Sequence, residues 1–233
     1  MDFRQTTILD LTQQVQTGQT SCKALVTAAL QNIHRLNPVI NAFCAVDEAR
    51  ALDEAAKVDQ RLAAGEPLPL AGIPFGVKDL EDAQGYITTF GSAFHTEDAP
   101  ALEDSELVRR LRAAGAIVVG KTNTPEFGYK GKTDNVPFGI TKNPWDVTRT
   151  PGGSSGGSSS ALAAGMVPLA TGSDGGGSIR IPAALCGLSG IKTSQGRVPN
   201  GGPKPTGSGL LTVKGPMTRR IRDAAFVLDQ CIG

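Results

Sequence analysis

The sequence predicts an α/β fold, helices layered on a mostly parallel sheet. Two observations predict it, and a third, the glycine content, marks its turns. A short helical pattern over 104–114 runs through Gly115 straight into the β-branched run 116–119, which is the succession of helix and buried strand found in layered folds. A second apolar run, 73–80, carries polar Lys78 and Asp79 near its end. Glycine is in excess: 29 of 233 residues, about 12% against a typical ~7%. Sixteen of those glycines fall between positions 152 and 209, around apolar segments, so they read as turns with close backbone approach and not as a linker.

The elements follow in order. Residues 7–63 read as helices. Leu9, Leu11 and Val15 share one helix face. Thr20 or Ser21 caps a second helix with Leu25, Val26, Ala29, Leu30 and Ile33 on its apolar side, and Asn37-Pro38 is expected to stop it. Residues 47–62 form a third, amphipathic helix. Within 160–167 the small residues favour a helix, 167–171 favours a strand, and 222–232 a closing helix. Residues 195–209 read as a surface loop. The expected division is an N-terminal helical segment, 1–66, packed on a core, 67–233.

Charge and composition narrow the function. The net charge is +1 and hydrophobic residues make up 39%, so the chain reads as globular, with no basic footprint for nucleic acid. No apolar run approaches the ~18 residues of a membrane span, and the first residues lack the layout of an export signal. The expected location is the cytoplasm. Cys22, Cys44, Cys186 and Cys231 lie far apart without a Cys/His cluster, so packed thiols are expected and no structural zinc site.

Three short patterns are set aside. Residues 115–122 fit the phosphate-loop spacing, but the strand falls inside the pattern where the phosphate-cradling turn belongs. Residues 152–156 fit a nucleophile elbow, whose histidine must follow the serine; His34 and His95 both precede Ser154. Ser189 and Lys192 fit S-x-x-K, but its companion motifs do not follow.

Serines set among glycines, with no histidine placed to activate them, leave lysine as the base. Such a lysine must be neutral, which desolvation or nearby cations achieve. Lys78 in its apolar stretch is the candidate. Adjacent strand residues point to opposite faces, so Asp79 need not pair with it.

The residues then match a known pattern. Gly152-Gly-Ser-Ser-Gly-Gly157, the small-residue helix after it, and Thr171-Gly-Ser-Asp-Gly-Gly-Gly-Ser178-Ile-Arg-Ile-Pro182 resemble the amidase signature family. The blocks around Lys78, Asn123, Asn143-Pro-Trp145 and Gly215-Pro-Met-Thr218 extend the resemblance over essentially the whole chain. It implies a mixed, largely parallel central sheet flanked by helices in α/β/α layers, and a Ser-Ser-Lys triad: Ser178 as nucleophile, Ser154 as relay after a cis Gly153–Ser154 bond, and Lys78 as general base and then acid. Gly175, Gly176 and Gly177 would form the oxyanion hole together with the Ser178 N–H. Ser155 would support the relay as a helix cap or as an extra donor. Asp174 and Arg180 would form an ion pair holding the loop, with a direct substrate contact by Arg180 left open.

The reaction so implied is hydrolysis of a small-molecule amide through an acyl-enzyme, which needs no metal or organic cofactor. The glutamine-hydrolysing component of the tRNA-dependent amidotransferase uses the same signature; it usually carries Gln where this chain has Ile181, and Met-Asp where it has Thr124-Pro125, so a stand-alone amidase is preferred. Family members usually run much longer. An N-terminal half, inactive alone, completed by a C-terminal half or acting as a homodimer, is the remaining expectation.

Overall fold

In the computed structural model of the chain, residues 1–200 and 211–233 are described. The helices are α1 (Ile8–Gln16), α2 (Cys22–Ile40), α3 (Glu48–Ala63), α4 (Glu106–Ala113), α5 (Gly156–Ala163), α6 (Arg180–Cys186) and α7 (Ile221–Asp229). The strands are β1 (Phe43–Val46), β2 (Pro74–Lys78), β3 (Ile117–Thr122), β4 (Asp134–Asn135), β5 (Gly139–Ile140), β6 (Leu169–Asp174), β7 (Ser189–Gly190) and β8 (Val213–Thr218).

The main sheet has the order β1-β3-β2-β6-β8-β7, and β4 pairs with β5 in a separate ribbon. The centre, β3-β2-β6, is parallel; β1, β8 and β7 join it antiparallel. The mixed sheet flanked by helices is therefore as the sequence predicts. All residues of β2, β3 and β6 are buried, as expected of central strands covered on both faces. One hydrophobic cluster joins Leu25 and Ile33 of α2 to Phe75, Val118, Leu169 and Val227.

The N-terminal helices start on side-chain caps. Thr7 and Asp10 form a reciprocal capping box, Ser21 accepts from Ala24 N, and Asp47 accepts from Arg50 N. Each such cap contributes about 1 kcal/mol. The expected stop at Asn37-Pro38 is not observed. α2 continues through Pro38 to Ile40 and ends at Asn41 in the left-handed region, φ 55°. Asn37 itself holds that end: its Oδ1 accepts from the N–H groups of Ala42 and Phe43 at 2.8 Å, and its Nδ2 donates to Phe43 O at 3.0 Å. These bonds offset the one helical donor that proline lacks. The helical reading of 7–63 also misses β1, a four-residue strand too short to show alternation.

Elsewhere the boundaries move. β3 continues through Gly120 to Thr122, beyond the run 116–119 read from the sequence, and Lys121 is fully buried. β6 starts at Leu169 and runs on to Asp174, so the strand predicted to end at Thr171 carries Ser173 and Asp174 as well. α5 begins at Gly156, inside the Gly/Ser block, and not at Ser160. Packing overrides helix propensity there. A Cβ on Gly157 would sit 2.3 Å from Asn123 N and 2.6 Å from Ala42 O, so only glycine lets α5 lie against β3. α6 follows the second glycine run, where the sequence signals no helix. The closing helix ends at Asp229. The surface-loop reading of 195–209 falls in part on residues 201–210, which lie outside the described residues. No helix among the described residues is long and apolar enough to cross a membrane.

Candidate active site

Three segments distant in sequence meet at the carboxyl ends of β2 and β6. Lys78 is the last residue of β2, and its N–H donates to Thr171 Oγ1 of β6 at 2.9 Å. Its Nζ lies 2.7 Å from Ser154 Oγ and 3.0 Å from Ser173 Oγ. The side chain is fully buried, and no carboxylate among the described residues is ion-paired with it. Burial drives its ammonium pKa down to about 7, against the pull of the Glu81 and Asp174 charges. Asp79 points away, as strand alternation predicts. It pairs with Lys121 Nζ at 3.1 Å and accepts from Thr89 N at 3.2 Å and from the Thr89 hydroxyl.

Ser154 precedes α5 and is 2% exposed. The Gly153–Ser154 peptide bond is cis, and the Ser154 carbonyl accepts from Thr124 Oγ1 at 3.0 Å. A Cβ on Gly153 would lie 2.9 Å from Lys130 O, so glycine is needed where the 130–132 backbone crosses this turn. Ser155 caps α5 by position only: its hydroxyl is buried, bonds no backbone N–H of the helix, and has no partner among the described residues. Its own N–H donates to Ser178 O at 3.2 Å, which fastens the Ser154 turn beside Ser178.

Ser178 is half-buried in the turn between β6 and α6. Asp174, at the end of β6, organises that turn. It accepts from Gly177 N at 2.7 Å, Ile179 N at 3.2 Å and Arg180 N at 3.3 Å, and pairs with Arg180 Nε at 2.9 Å and Nη2 at 3.0 Å. Burial alone would raise its carboxyl, but the Arg180 guanidinium and the backbone donors overrule it and hold the pKa at about 2. The expected Asp174–Arg180 ion pair is therefore present. Gly177, at φ +120°, directs its N–H to Asp174. The N–H groups of Gly175, Gly176 and Ser178 have no partner among the described residues. Three amides in one turn without internal partners can receive a developing negative charge.

Ser173 is the site residue the sequence reading missed. With the strand ending at Thr171 it belonged to the loop. Period-two alternation would have found it, because Thr171 and Ser173 share one strand face and both contact Lys78. The two histidines and Lys192 lie elsewhere. His34 pairs with Glu48, His95 Nδ1 lies 2.8 Å from Asp98, and Lys192 Nζ donates to Thr193 O at 3.0 Å. The four cysteines are free thiols, and the described residues hold no group of three or more His, Cys, Asp or Glu able to bind a metal.

Gly128 borders the site: a Cβ there would lie 3.2 Å from Ser154 Oγ. Tyr129 next to it helps line a cleft of about 400 Å³ with Glu126, Lys130 and Asp134. A larger one of about 490 Å³, between the end of α2 and Phe138, contains none of the residues around Lys78.

The sequence profile of the family described as Amidase matches residues 24–233. A putative amidase, AmiB2, of Mycobacterium tuberculosis is 49% identical over 212 residues, covering 91% of this chain and 45% of that protein. The A-type chain of the glutamyl-tRNA(Gln) amidotransferase of Roseiflexus castenholzii is 45% identical over 229 residues, covering 98% of this chain and 46% of that protein. The crystal structure of a bacterial aryl acylamidase of the amidase signature family superposes with a TM-score of 0.90 at 34% identity, over 98% of this chain and 48% of that one. The chain thus spans about half the length of the curated relatives it matches.

Proposed function

The chain belongs to the amidase signature family, and on that premise we propose that it supplies the Ser-Ser-Lys chemistry of an amide hydrolase. The observation that carries the reading is the Lys78–Ser154 contact: a fully buried amine without a carboxylate partner, 2.7 Å from a buried hydroxyl. A neutral amine has one lone pair and two N–H donors. Donating to Ser173, it keeps the lone pair free to accept the Ser154 proton.

That arrangement supports the following mechanism. As Ser178 Oγ attacks the amide carbon, its proton passes to Ser154 Oγ and the Ser154 proton passes to Lys78 Nζ. The carbonyl π pair moves onto oxygen, where the N–H groups of Gly175, Gly176 and Ser178 stabilise it; one such donor is typically worth about 3–4 kcal/mol in the transition state. Asp174 and Arg180 hold the turn that presents those donors. Gly177 serves through its conformation, because its N–H is engaged by Asp174. The oxyanion then collapses, the C–N bond breaks, and the leaving nitrogen receives the proton back through Ser154. Water enters by the same route and releases the carboxylic acid and free Ser178. No metal or organic cofactor takes part in these steps.

The test uses a serine-directed fluorophosphonate and intact-mass detection, together with an amide assay. Lys78→Ala and Ser178→Ala are each expected to lower the rate by about 10³-fold or more. Full activity in Lys78→Ala would refute the mechanism. The similarity to the amidotransferase chain supports a second reading, release of ammonia from glutamine for a partner protein. Activity on glutamine that appears only with such partners, and none on simple amides, would select it.

A further inference from the structure

The sheet brings a second lysine to the edge of the site. Ser173 on β6 and Lys214 on β8 are direct cross-strand partners, so their side chains leave the same face of the sheet. Ser173 Oγ reaches Lys78 Nζ at 3.0 Å, and Lys214 Nζ reaches Glu81 Oε2 at 2.8 Å. The Glu81 side chain is 2% exposed and that of Lys214 12%. The Glu81 N–H donates to Lys78 O at 2.9 Å, so this carboxylate is tied to the turn that ends β2.

A buried carboxylate in this place works against the chemistry, because a nearby negative charge stabilises an ammonium over an amine. The charged groups on the elements around Lys78 are Glu81 and Asp79 at the end of β2, Lys121 on β3, Asp174 on β6, Arg180 on α6 and Lys214 on β8; α5 carries none. Asp79 is paired with Lys121, and Asp174 with Arg180. Glu81 has Lys214.

We propose that Lys214 is a positioning residue: by pairing with Glu81 it prevents that carboxylate from holding Lys78 charged, and so sets the lower pH bound of the site's reactivity. The assignment rests on the reading of Lys78 as general base. Lys214 itself touches neither serine of the proposed triad.

The experiment measures the rate of Ser178 acylation by a fluorophosphonate on the whole protein from about pH 5.5 to about 9, with folding checked by circular dichroism. Lys214→Met is expected to move the acidic limb up by about one pH unit, which slows acylation about tenfold at the foot of the limb. Glu81→Gln moves it down, and Lys214→Arg leaves it in place. The double variant Glu81→Gln/Lys214→Met, which leaves no buried charge unpaired, returns it close to the wild-type position and serves where the single variant does not fold. An unshifted limb in folded Lys214→Met, or a double variant shifted up in the same way, overturns the proposal. Lys78→Ala separates this from the underlying reading. If it is acylated at the wild-type rate, the base assignment falls and the proposal with it. If it is inert while Lys214→Met leaves the limb unmoved, only the role of Lys214 falls.

Discussion

Replacing Lys78 by methionine should stabilise the fold near neutral pH, with a pH dependence that reports the protonation of the buried amine. The amine titrates at about 7 in the folded chain against 10.5 as the ordinary value. Between those two values the unfolded chain binds more protons than the folded one, so wild-type stability rises with pH across that window, is lost as pH falls from 10.5 toward about 7, and levels off below. The difference corresponds to about 4 kcal/mol at pH 7 and about 2 kcal/mol at pH 9. Methionine removes this cost while leaving Ser154 and Ser173 without their partner, a loss of about 1–3 kcal/mol that does not vary with pH. Urea unfolding followed by circular dichroism, at several pH values from about 6.5 to about 9, measures the difference between the two proteins. It should shrink by about 2 kcal/mol from pH 7 to pH 9. A difference that stays flat over that range would mean that Lys78 is charged in the fold and cannot take the Ser154 proton.

Asp174→Asn should cost about 2 kcal/mol at pH 6, because the wild-type carboxyl titrates at about 2 against 3.8. A depressed carboxyl stabilises above 3.8 and loses that contribution as pH falls toward 2, so the gap between variant and wild type in urea should narrow by about half at pH 3; a constant gap would contradict the assignment. Gly157→Ala should lower stability by about 3 kcal/mol, since its Cβ would lie 2.3 Å from backbone, whereas Gly176→Ala, with nothing within 4 Å, should change it by less than about 1 kcal/mol. Thermal unfolding compares the two, and equal losses would show that α5 does not depend on that close approach.

Much of this architecture is legible along the chain because its signals are local. The run 116–119 and the cap candidate Ser21 each fix an element from a few neighbouring residues. Lys78, Ser154, Ser178 and Asp174 are marked by their surrounding glycines and by their order. What escapes a reading of the sequence depends on partners far away. α5 is helical through Gly156 and Gly157 because β3 and Ala42 come close to it, which no propensity records. Pro38 is tolerated because Asn37 bonds the loop beyond it. The Gly177 amide is diverted by Asp174, three residues earlier, and that follows only from the turn's particular dihedral path. Ser173 and Lys214 gain meaning from a cross-strand register between segments 41 positions apart.

The burial of Lys78 has a consequence for the newly made chain. Its contacts come from Ser154 and Ser173, 76 and 95 positions later, so nothing excludes water from the amine until those segments have been synthesised and β6 has docked beside β2. Until then the lysine is an ordinary hydrated ammonium, and a serine next to it is no more reactive than any other. On the proposed reading, reactivity waits for the finished sheet, and a nascent chain carrying the full set of proposed catalytic residues stays inert toward its cellular surroundings.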